Sequence, residues 1–441
     1  MSDIREETYR PAFAGTYIGE AAPMTCREVC RLLGEIVRIP SVTGQEEALG
    51  RYLTALGRRE GLTVEVMPCR EEGRFNVIWS LGCRSYREGD YGLMLHGHYD
   101  TVPVMDMADP YETAVIDGHR MRGRGIVDQK AGLAASLAAM IALKRAGVRL
   151  TKPLMTACVI DEESEHSGSY TLAESGIRAD YAISTEPTGG RCAFGCKGTT
   201  PLCLVVKGRT AHAGMPWKGI NAIEKALPLL ERLFRARFAR VDLGPLGIYE
   251  GTLCVSKMAA GTAYNNVPGE AVIWMDRRTV PGETTALALR EIEAIIDEAR
   301  RDDPALEAAV MTARPDWHWE PIIRRGLEPT LTDLDTPLYT YLNEAAVSLG
   351  LAPVEKEFWT GYTDMDFLVN DMGIPTLVFG PGDNSLCHTA EEIIELDEVC
   401  RSAEIFCRTA IAACGRAGDE AGRADSQAAV HEQDKKGTEQ L

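Results

Sequence analysis

The stretch YGLMLHGHYDTVP, residues 91–103, joins an apolar run to a cluster of histidine and aspartate side chains. Its beginning, 91–95, has the composition of a short buried β-strand. Runs of the same kind occur at 154–160, before the acidic sequence DEE, and at 181–184, before TEP. In α/β sheets ligands bind beyond the carboxyl ends of the strands, and all three runs lead into His, Asp or Glu. This pattern predicts a sheet with a functional site at one edge.

Helical patterns separate these strand-like runs. Apolar residues recur at helical spacing over 25–39 and 46–60, and further strands are expected at 62–68 and 76–81. The alanine-rich stretch 131–143 is too short to span a bilayer, so we expect a buried helix there. Because strand, loop and helix alternate, the sequence predicts an α/β fold in which helices cover a central mixed sheet.

A second unit begins near Gly198 and has a different pattern. Strands and helices are expected in the order β-α-β-β-α-β, which is close to the ferredoxin-like plan. We therefore predict an N-terminal segment 1–24, a discontinuous catalytic domain of 25–197 and 314–414, an inserted α+β lid of 198–313, and a disordered tail 415–441. The elements expected in the lid are strands at 201–208, 249–258, 271–277 and 306–313 and helices at 221–240 and 283–301.

The composition excludes several classes of protein. Of 441 residues, 45% are hydrophobic and 25% are charged, which rules out global disorder or a fibrous repeat. The chain has 65 acidic and 47 basic residues and a net charge of −18, which argues against nucleic acid or anionic membranes as partners. The thirteen cysteines are scattered and the first residues, MSDIREETYR, are polar, so we expect a cytoplasmic protein without a secretory signal.

His98, Asp100 and Asp128 are candidates for a metal site. Side chains two positions apart on a strand share one face, so His98 can bind a divalent metal while Asp100 accepts a hydrogen bond from the second ring nitrogen. A stray histidine in a surface loop is the alternative. Asp128 follows the glycine-rich turn GRGIVD, where an aspartate most often serves as a helix N-cap.

The acidic sequence DEE and two later motifs supply the remaining candidates. The carboxylates of 161–163 would repel one another at the end of a buried strand, and a cation or a shared proton would relieve that cost. A solvated acidic loop is the alternative. Glu186 ends the next strand, in STEPT, and His388 follows a Gly/Pro loop. Together the motifs match the ligand set of a site for two divalent metal ions, with zinc as the first choice and cobalt or manganese as substitutes.

In five motifs that occur in the same order, residues 25–414 resemble the dinuclear zinc deacylases and exopeptidases. This family is typified by acetylornithine deacetylase, succinyl-diaminopimelate desuccinylase and glutamate carboxypeptidase. The resemblance implies that Asp128 bridges the two metals, that Glu162 is the general base and that Asp100 orients a ligand. The metal ligands that it implies are His98, Asp128, Glu163, Glu186 and His388.

The resemblance also implies functions for the lid. His212, in GRTAHAGMP, would stabilise the oxyanion and often reaches the site of a neighbouring subunit, which implies a homodimer. Asn265, in NNVPG, would contact the substrate, and Arg278, in MDRRTVPG, would grip a substrate carboxylate. Each has a neighbour of the same type, and the spacing to the following proline favours Asn265 and Arg278. His96 and His166 match no ligand position, so we expect packing or hydrogen bonding from them.

The implied reaction is hydrolysis of the amide bond of an N-acyl amino acid by a hydroxide that bridges two metals. Exopeptidase or dipeptidase activity at the same site is the alternative. The segment SEHS after the DEE motif departs from the short link of relatives, so no single relative's substrate is transferred. Two other classes compete. The sequence HGH at 96–98 also occurs in (β/α)₈ amidohydrolases, and the scaffold could serve a non-catalytic binding protein.

Overall fold

A mixed β-sheet forms the centre of the larger of two units. The computed structural model describes residues 17–18, 24–113, 115–312 and 320–417. Most of the predicted N-terminal segment and tail, and the predicted domain boundary at 313/314, lie outside these ranges. The helices are α1 (Cys26–Val37), α2 (Glu47–Arg59), α3 (Ala131–Arg145), α4 (Ser167–Glu174), α5 (Ala222–Arg235), α6 (Thr285–Asp302), α7 (Glu320–Arg325), α8 (Pro337–Ser348) and α9 (Leu396–Cys414).

The strands follow the alternation expected from the sequence, with several short additions. They are β1 (Tyr17–Ile18), β2 (Met24–Thr25), β3 (Thr63–Pro68), β4 (Phe75–Leu81), β5 (Asp90–His98), β6 (Val115–Ile116), β7 (Arg120–Arg122), β8 (Leu154–Val159), β9 (Arg178–Ser184), β10 (Cys192–Cys196), β11 (Gly198–Lys207), β12 (Ala211–His212), β13 (Arg240–Asp242), β14 (Ile248–Glu250), β15 (Thr252–Ala260), β16 (Asn266–Val267), β17 (Glu270–Thr279), β18 (Glu307–Thr312), β19 (Thr330–Leu331), β20 (Lys356–Trp359), β21 (Thr376–Val378) and β22 (Ile393–Glu395).

The order of strands in the central sheet brings the predicted site residues to one edge. The order is β19-β10-β21-β9-β5-β8-β4-β3, and β20 also pairs with β10. Strand β5 runs parallel to both β8 and β9, with Gly97 opposite Cys158 and Leu95 opposite Ile183. Strand β21 is parallel to β9, whereas β4 is antiparallel to β8, so the sheet is mixed, as predicted. The carboxyl ends of β5, β8, β9 and β21 therefore share one edge.

Apolar side chains cover both faces of the sheet. Val77 and Trp79 of β4 pack in the core with α1, α2, α3 and α9, whereas Ile78 between them packs on the opposite face with Leu172 of α4. The expected buried helix is confirmed as α3, which lies entirely in this core apart from its last two residues. The helical segment Ile126–Arg145 is long and apolar enough to cross a membrane, but 94% of its apolar 18-residue window is buried inside the protein, as in the core helix of a globular domain.

The inserted unit is the ferredoxin-like fold that the sequence predicts. Its sheet has the order β15-β17-β11-β18, and α5 and α6 pack on one face. Alternate residues of β17, such as Ile273 and Met275, point to these helices, and their neighbours Trp274 and Asp276 point to the open face. The predicted helix 221–240 ends early, at Arg235, because the hairpin of β13 and β14 follows it.

Candidate active site

His98 lies at the end of β5 and is almost completely buried. Its Nδ1 atom lies 3.0 Å from the carbonyl oxygen of Asp100 and 3.4 Å from the Oδ1 atom of that residue. The Asp100 carboxylate also accepts hydrogen bonds from Thr43 Oγ1 (2.8 Å) and from the backbone amides of Glu162 and Glu163 (3.2 Å each). Asp100 therefore fixes the ring of His98 and ties it to the DEE turn, which leaves Nε2 of His98 directed into the site.

Asp128 lies between two histidines that are distant in sequence. One carboxylate oxygen, Oδ1, is 3.1 Å from Nε2 of His98, and the other, Oδ2, is 3.2 Å from Nε2 of His388. The turn Ile126–Lys130 presents this carboxylate just before α3, after Gly125, which has a φ of 70°. Burial opposes ionisation of Asp128, but its hydrogen bonds with the two histidines lower its pKa. An aspartate with one oxygen toward each imidazole has the arrangement of a bridging ligand.

Three glutamates surround this aspartate. The Oε2 atom of Glu163 is 3.1 Å from Nε2 of His388, and Oε2 of Glu162 is 3.9 Å from Nε2 of His98. Glu186, which follows β9, is 5% exposed. Burial raises the pKa of all three carboxyl groups, most strongly for Glu162 and Glu186. Carboxylates that are this close and this buried need a neutralising partner, because removing a charge from water without one is costly.

The donor set fits divalent metal ions. Ligand atoms of His98, Asp128 and Glu163 all lie within 4.8 Å of one another. Two imidazoles and several carboxylates are a common zinc environment, and the second nitrogen of His98 already has its supporting carboxylate. The loop histidine, His388, is held by Asp128 and Glu163, and these hydrogen bonds raise its pKa to about 10.

A cavity of about 660 Å³ opens from this cluster toward the lid. The carboxylates and His388 form one wall, and the open face of the lid sheet forms the other with Arg278, Asp276, Trp274 and Lys257. The predicted substrate residue Arg278 thus lines the cavity. Its neighbour Arg277 is completely buried in the lid against Glu283 and Glu291.

Comparison with known proteins identifies the family of this chain. Residues 94–412 match the sequence profile of Peptidase family M20/M25/M40. The chain belongs to this family. It is therefore a hydrolase that acts on amide or peptide bonds.

The relatives of this M20 chain include deacylases and a peptidase. It is 25% identical over 401 residues to a probable succinyl-diaminopimelate desuccinylase of Staphylococcus epidermidis, covering 83% of this chain and 93% of the relative. It is 31% identical over 324 residues to acetylornithine deacetylase of Myxococcus xanthus, covering 71% and 78%. A tripeptidase of Staphylococcus aureus has the same fold, with a TM-score of 0.72, 21% identity and coverage of 89% of this chain and 99% of that one.

Two predicted site residues of the M20 chain lie away from its own cavity. His212 is exposed on the lid, where its Nδ1 atom accepts a hydrogen bond of 3.0 Å from the amide of Gly214. Asn265 is also exposed, and its carbonyl oxygen accepts a bond from the amide of Ala213. Neither residue is part of the cavity wall of the described chain. The structure thus brings the predicted metal ligands to the same cavity as Glu162 and Arg278. It does not bring His212 or Asn265 there.

A buried polar network beside Glu162 was not predicted as a unit. Asp364 accepts a hydrogen bond of 2.6 Å from Ser169 Oγ, and its other oxygen lies 2.9 Å from Nδ1 of His166. Ser169 Oγ lies 2.9 Å from Nε2 of His96. The expectation that His96 and His166 form hydrogen bonds is therefore confirmed, and burial lowers the pKa of His96 to about 4. The only sequence signal was the polar SEHS segment, because the partner Asp364 is almost two hundred residues away.

Proposed function

We propose that this protein is a deacylase that removes the acyl group from an N-acyl amino acid with the help of two divalent metal ions. One observation carries the proposal. The Asp128 carboxylate directs one oxygen to His98 and the other to His388. Glu162 lies beside His98 at 3.9 Å, and Glu163 lies beside His388 at 3.1 Å. His98, Asp128 and Glu186 would hold one ion and Asp128, Glu163 and His388 the other, with zinc favoured by the mixed nitrogen and oxygen ligands.

The residues of the chain provide the remaining chemistry. Bound divalent ions lower the pKa of a coordinated water and polarise a carbonyl, which is the contribution expected of them here. Glu162 lines the cavity and would accept the proton of the water on its carboxylate and pass it to the leaving amine nitrogen. Burial raises the pKa of Glu162, which brings it nearer to the range of a group that both takes and returns a proton.

Arg278 supports a substrate that carries a carboxylate. Its guanidinium group forms an ion pair of 2.9 Å with Asp276 at the cavity wall. Because a guanidinium group has five donors, it can hold Asp276 and still bind a substrate carboxylate. Peptide cleavage is the second candidate, since the α-carboxylate of a dipeptide presents the same group and the cavity of about 660 Å³ has room for it.

Metal analysis and a substrate panel test this proposal. The wild-type protein should bind two equivalents of zinc, and Glu162→Gln should retain them while kcat falls by about 10²- to 10⁴-fold. Asp128→Asn is the matched comparison, because the same change at the bridging position should lower the metal content itself. N-acetyl, N-succinyl and N-carbamoyl amino acids and dipeptides then separate deacylase from peptidase activity. Unchanged turnover in Glu162→Gln would refute the assignment of the base.

We also propose that the protein is a cytoplasmic homodimer in which the lid supplies His212 to the partner's site. Exposed apolar side chains on the lid support an interface there. Ile223, Leu227 and Phe234 form a stripe at helical spacing on α5, and Phe234 is 66% exposed. Trp217 nearby is 75% exposed. Large exposed apolar patches of this kind mark interaction surfaces.

A mixture of two inactive variants tests the shared site. Glu162→Gln and His212→Ala homodimers, exchanged to equilibrium, should recover about one quarter of the wild-type activity, because half of the dimers would contain one intact site. Light scattering checks that the exchanged species are dimers. No recovery after proven exchange would show that His212 does not act across the interface.

A further inference from the structure

We propose that Lys257 and Trp274 form a second anion-binding subsite in the active-site cavity, which selects substrates with a carboxylate remote from the scissile amide. The inference rests on the proposed function and specifies its substrate class. Both residues lie on the open face of the lid sheet, on the wall opposite the carboxylate cluster. The Lys257 ammonium group lies 4.8 Å from the centre of the Trp274 ring.

An irregularity in β15 determines where Lys257 points. Val255 pairs with Met275 and Lys257 pairs with Trp274, so one strand advances by two residues while the other advances by one. Ser256 is the extra residue, and its Oγ atom donates a hydrogen bond to the carbonyl oxygen of Trp274. Such a bulge changes the direction of the following side chains.

Without the bulge, the lysine would face the helices of the lid. In regular pairing Ser256 would oppose Trp274, and Lys257 would oppose Ile273, which is completely buried against α5 and α6. The extra residue moves Lys257 to the cavity face instead. Bulges are frequent beside functional sites, where they re-aim a side chain in this way.

The two cations of the lid wall differ in their partners. Arg278 is paired with Asp276, and Asp276 also accepts a hydrogen bond of 2.9 Å from Thr199. Lys257 forms no ion pair with any residue in the part of the chain that the structure describes. Its ammonium group lies over the Trp274 ring instead. In a chain with 65 acidic residues and 47 basic ones, the cavity thus contains an ammonium group that forms no ion pair with a carboxylate of the described residues.

The spacing on β17 separates the two cations into two binding positions. Trp274 and Arg278 are four residues apart on one strand, which places their Cα atoms about 13 Å apart. This spacing leaves room for two carboxylates, one at Arg278 and one at Lys257. A substrate with two carboxylates can occupy both positions, and the Trp274 ring would cover the aliphatic chain between them. The remote carboxylate belongs either to the acyl group or to the side chain of the amino acid.

Two matched substrate sets test this subsite. N-succinyl-, N-glutaryl- and N-adipoyl-leucine carry the extra carboxylate on the acyl group, N-acetylglutamate and N-acetyl-2-aminoadipate carry it on the amino acid, and N-acetylleucine lacks it. In Lys257→Met, kcat/KM should fall by about 10- to 100-fold for one of the two sets, mainly through KM. It should change less than about threefold for N-acetylleucine. Lys257→Arg should restore most of the loss, since it restores the charge.

The controls separate this inference from the proposed function. Lys207→Met removes a lysine from the same sheet that is paired with Glu270 and lies outside the cavity wall. It should therefore leave kcat/KM unchanged for both substrate sets. Calorimetric titration of the same compounds into zinc-loaded Glu162→Gln protein reports binding without turnover. If the wild-type enzyme hydrolyses none of the compounds but binding still depends on Lys257, the proposed reaction fails and the subsite stands. If neither set distinguishes Lys257→Met from wild type in rate or binding, the subsite is refuted.

Discussion

Replacing Gly132 by alanine should move two of the proposed metal ligands, Asp128 and Glu186, apart. Gly132 is the second residue of α3, and a Cβ atom there would lie 1.9 Å from the carbonyl oxygen of Thr185. The contact must lengthen by about 1.5 Å to reach an ordinary van der Waals distance. Thr185 cannot turn away easily, because its amide donates to the His96 carbonyl and its hydroxyl donates to Gln129.

The displacement would act directly on two proposed ligands. Asp128 precedes Gly132 by four residues and Glu186 follows Thr185, so pushing α3 away from the end of β9 moves the two carboxylates apart. Overpacking of this size costs about 1–3 kcal/mol of stability. A displacement of about 1 Å in a catalytic arrangement can cost about 10²-fold in rate. We therefore expect Gly132→Ala to lose metal and at least this much activity at a temperature where it remains folded.

A second glycine provides the control for overpacking alone. In α2, a Cβ atom on Gly57 would lie 2.5 Å from the Trp79 ring and 2.6 Å from a Val64 methyl group, in the same core but away from the ligands. Neither Gly57 nor Gly132 has a positive φ. Both variants are compared for melting temperature, zinc per chain and kcat. If Gly132→Ala is destabilised like Gly57→Ala but keeps its zinc and wild-type kcat, the proposed coupling between α3 and the site is wrong.

Two further predictions concern the surroundings of the site. Arg124 and Glu392 form an ion pair in which both side chains are at most 1% exposed, so Arg124→Met should cost about 3–5 kcal/mol in denaturant unfolding. Arg124→Met/Glu392→Leu should recover most of that loss, and additive losses would contradict this reasoning. Beyond the effect of burial, the Asp364 carboxylate raises the pKa of Glu162. Asp364→Asn should therefore let Glu162 lose its proton at lower pH. The acid limb of the plot of kcat against pH should then shift to lower pH. A shift to higher pH would exclude this coupling.

The fold was predictable where hydrophobic pattern and element length agreed. The run 91–95 identified β5, because a strand buried on both faces has no polar positions, and the structure extends it to Asp90–His98. The strand Cys192–Cys196 was missed, because its short sequence CAFGC has neither alternation nor length to distinguish it from a loop. The hairpin of β13 and β14 was missed because the amphipathic pattern of α5 continues into Phe238, which packs against the same core.

The site was predictable only as far as its members sit in recognisable motifs. His98, Asp128 and Glu163 each follow a strand or a glycine turn, so the sequence already places them at one edge of the sheet. Lys257 has no such signal, since its direction depends on one unpaired residue in β15. The sequence also does not show which charges are buried, and Asp366 is an example. That carboxylate is completely buried and is held by Arg325, so it does not face the cavity.

The distribution of charge explains why the lid matters for substrate choice. Over the whole chain carboxylates predominate, with a net charge of −18, and such a surface repels anions. The three ligand carboxylates and the Glu162 carboxylate would balance the four positive charges of two divalent ions, so the loaded catalytic wall would be close to neutral. The lid wall adds Arg278 and Lys257 against the single carboxylate of Asp276. The excess positive charge of the loaded cavity would therefore lie on the lid, and the lid, not the metal cluster, distinguishes one carboxylate from two.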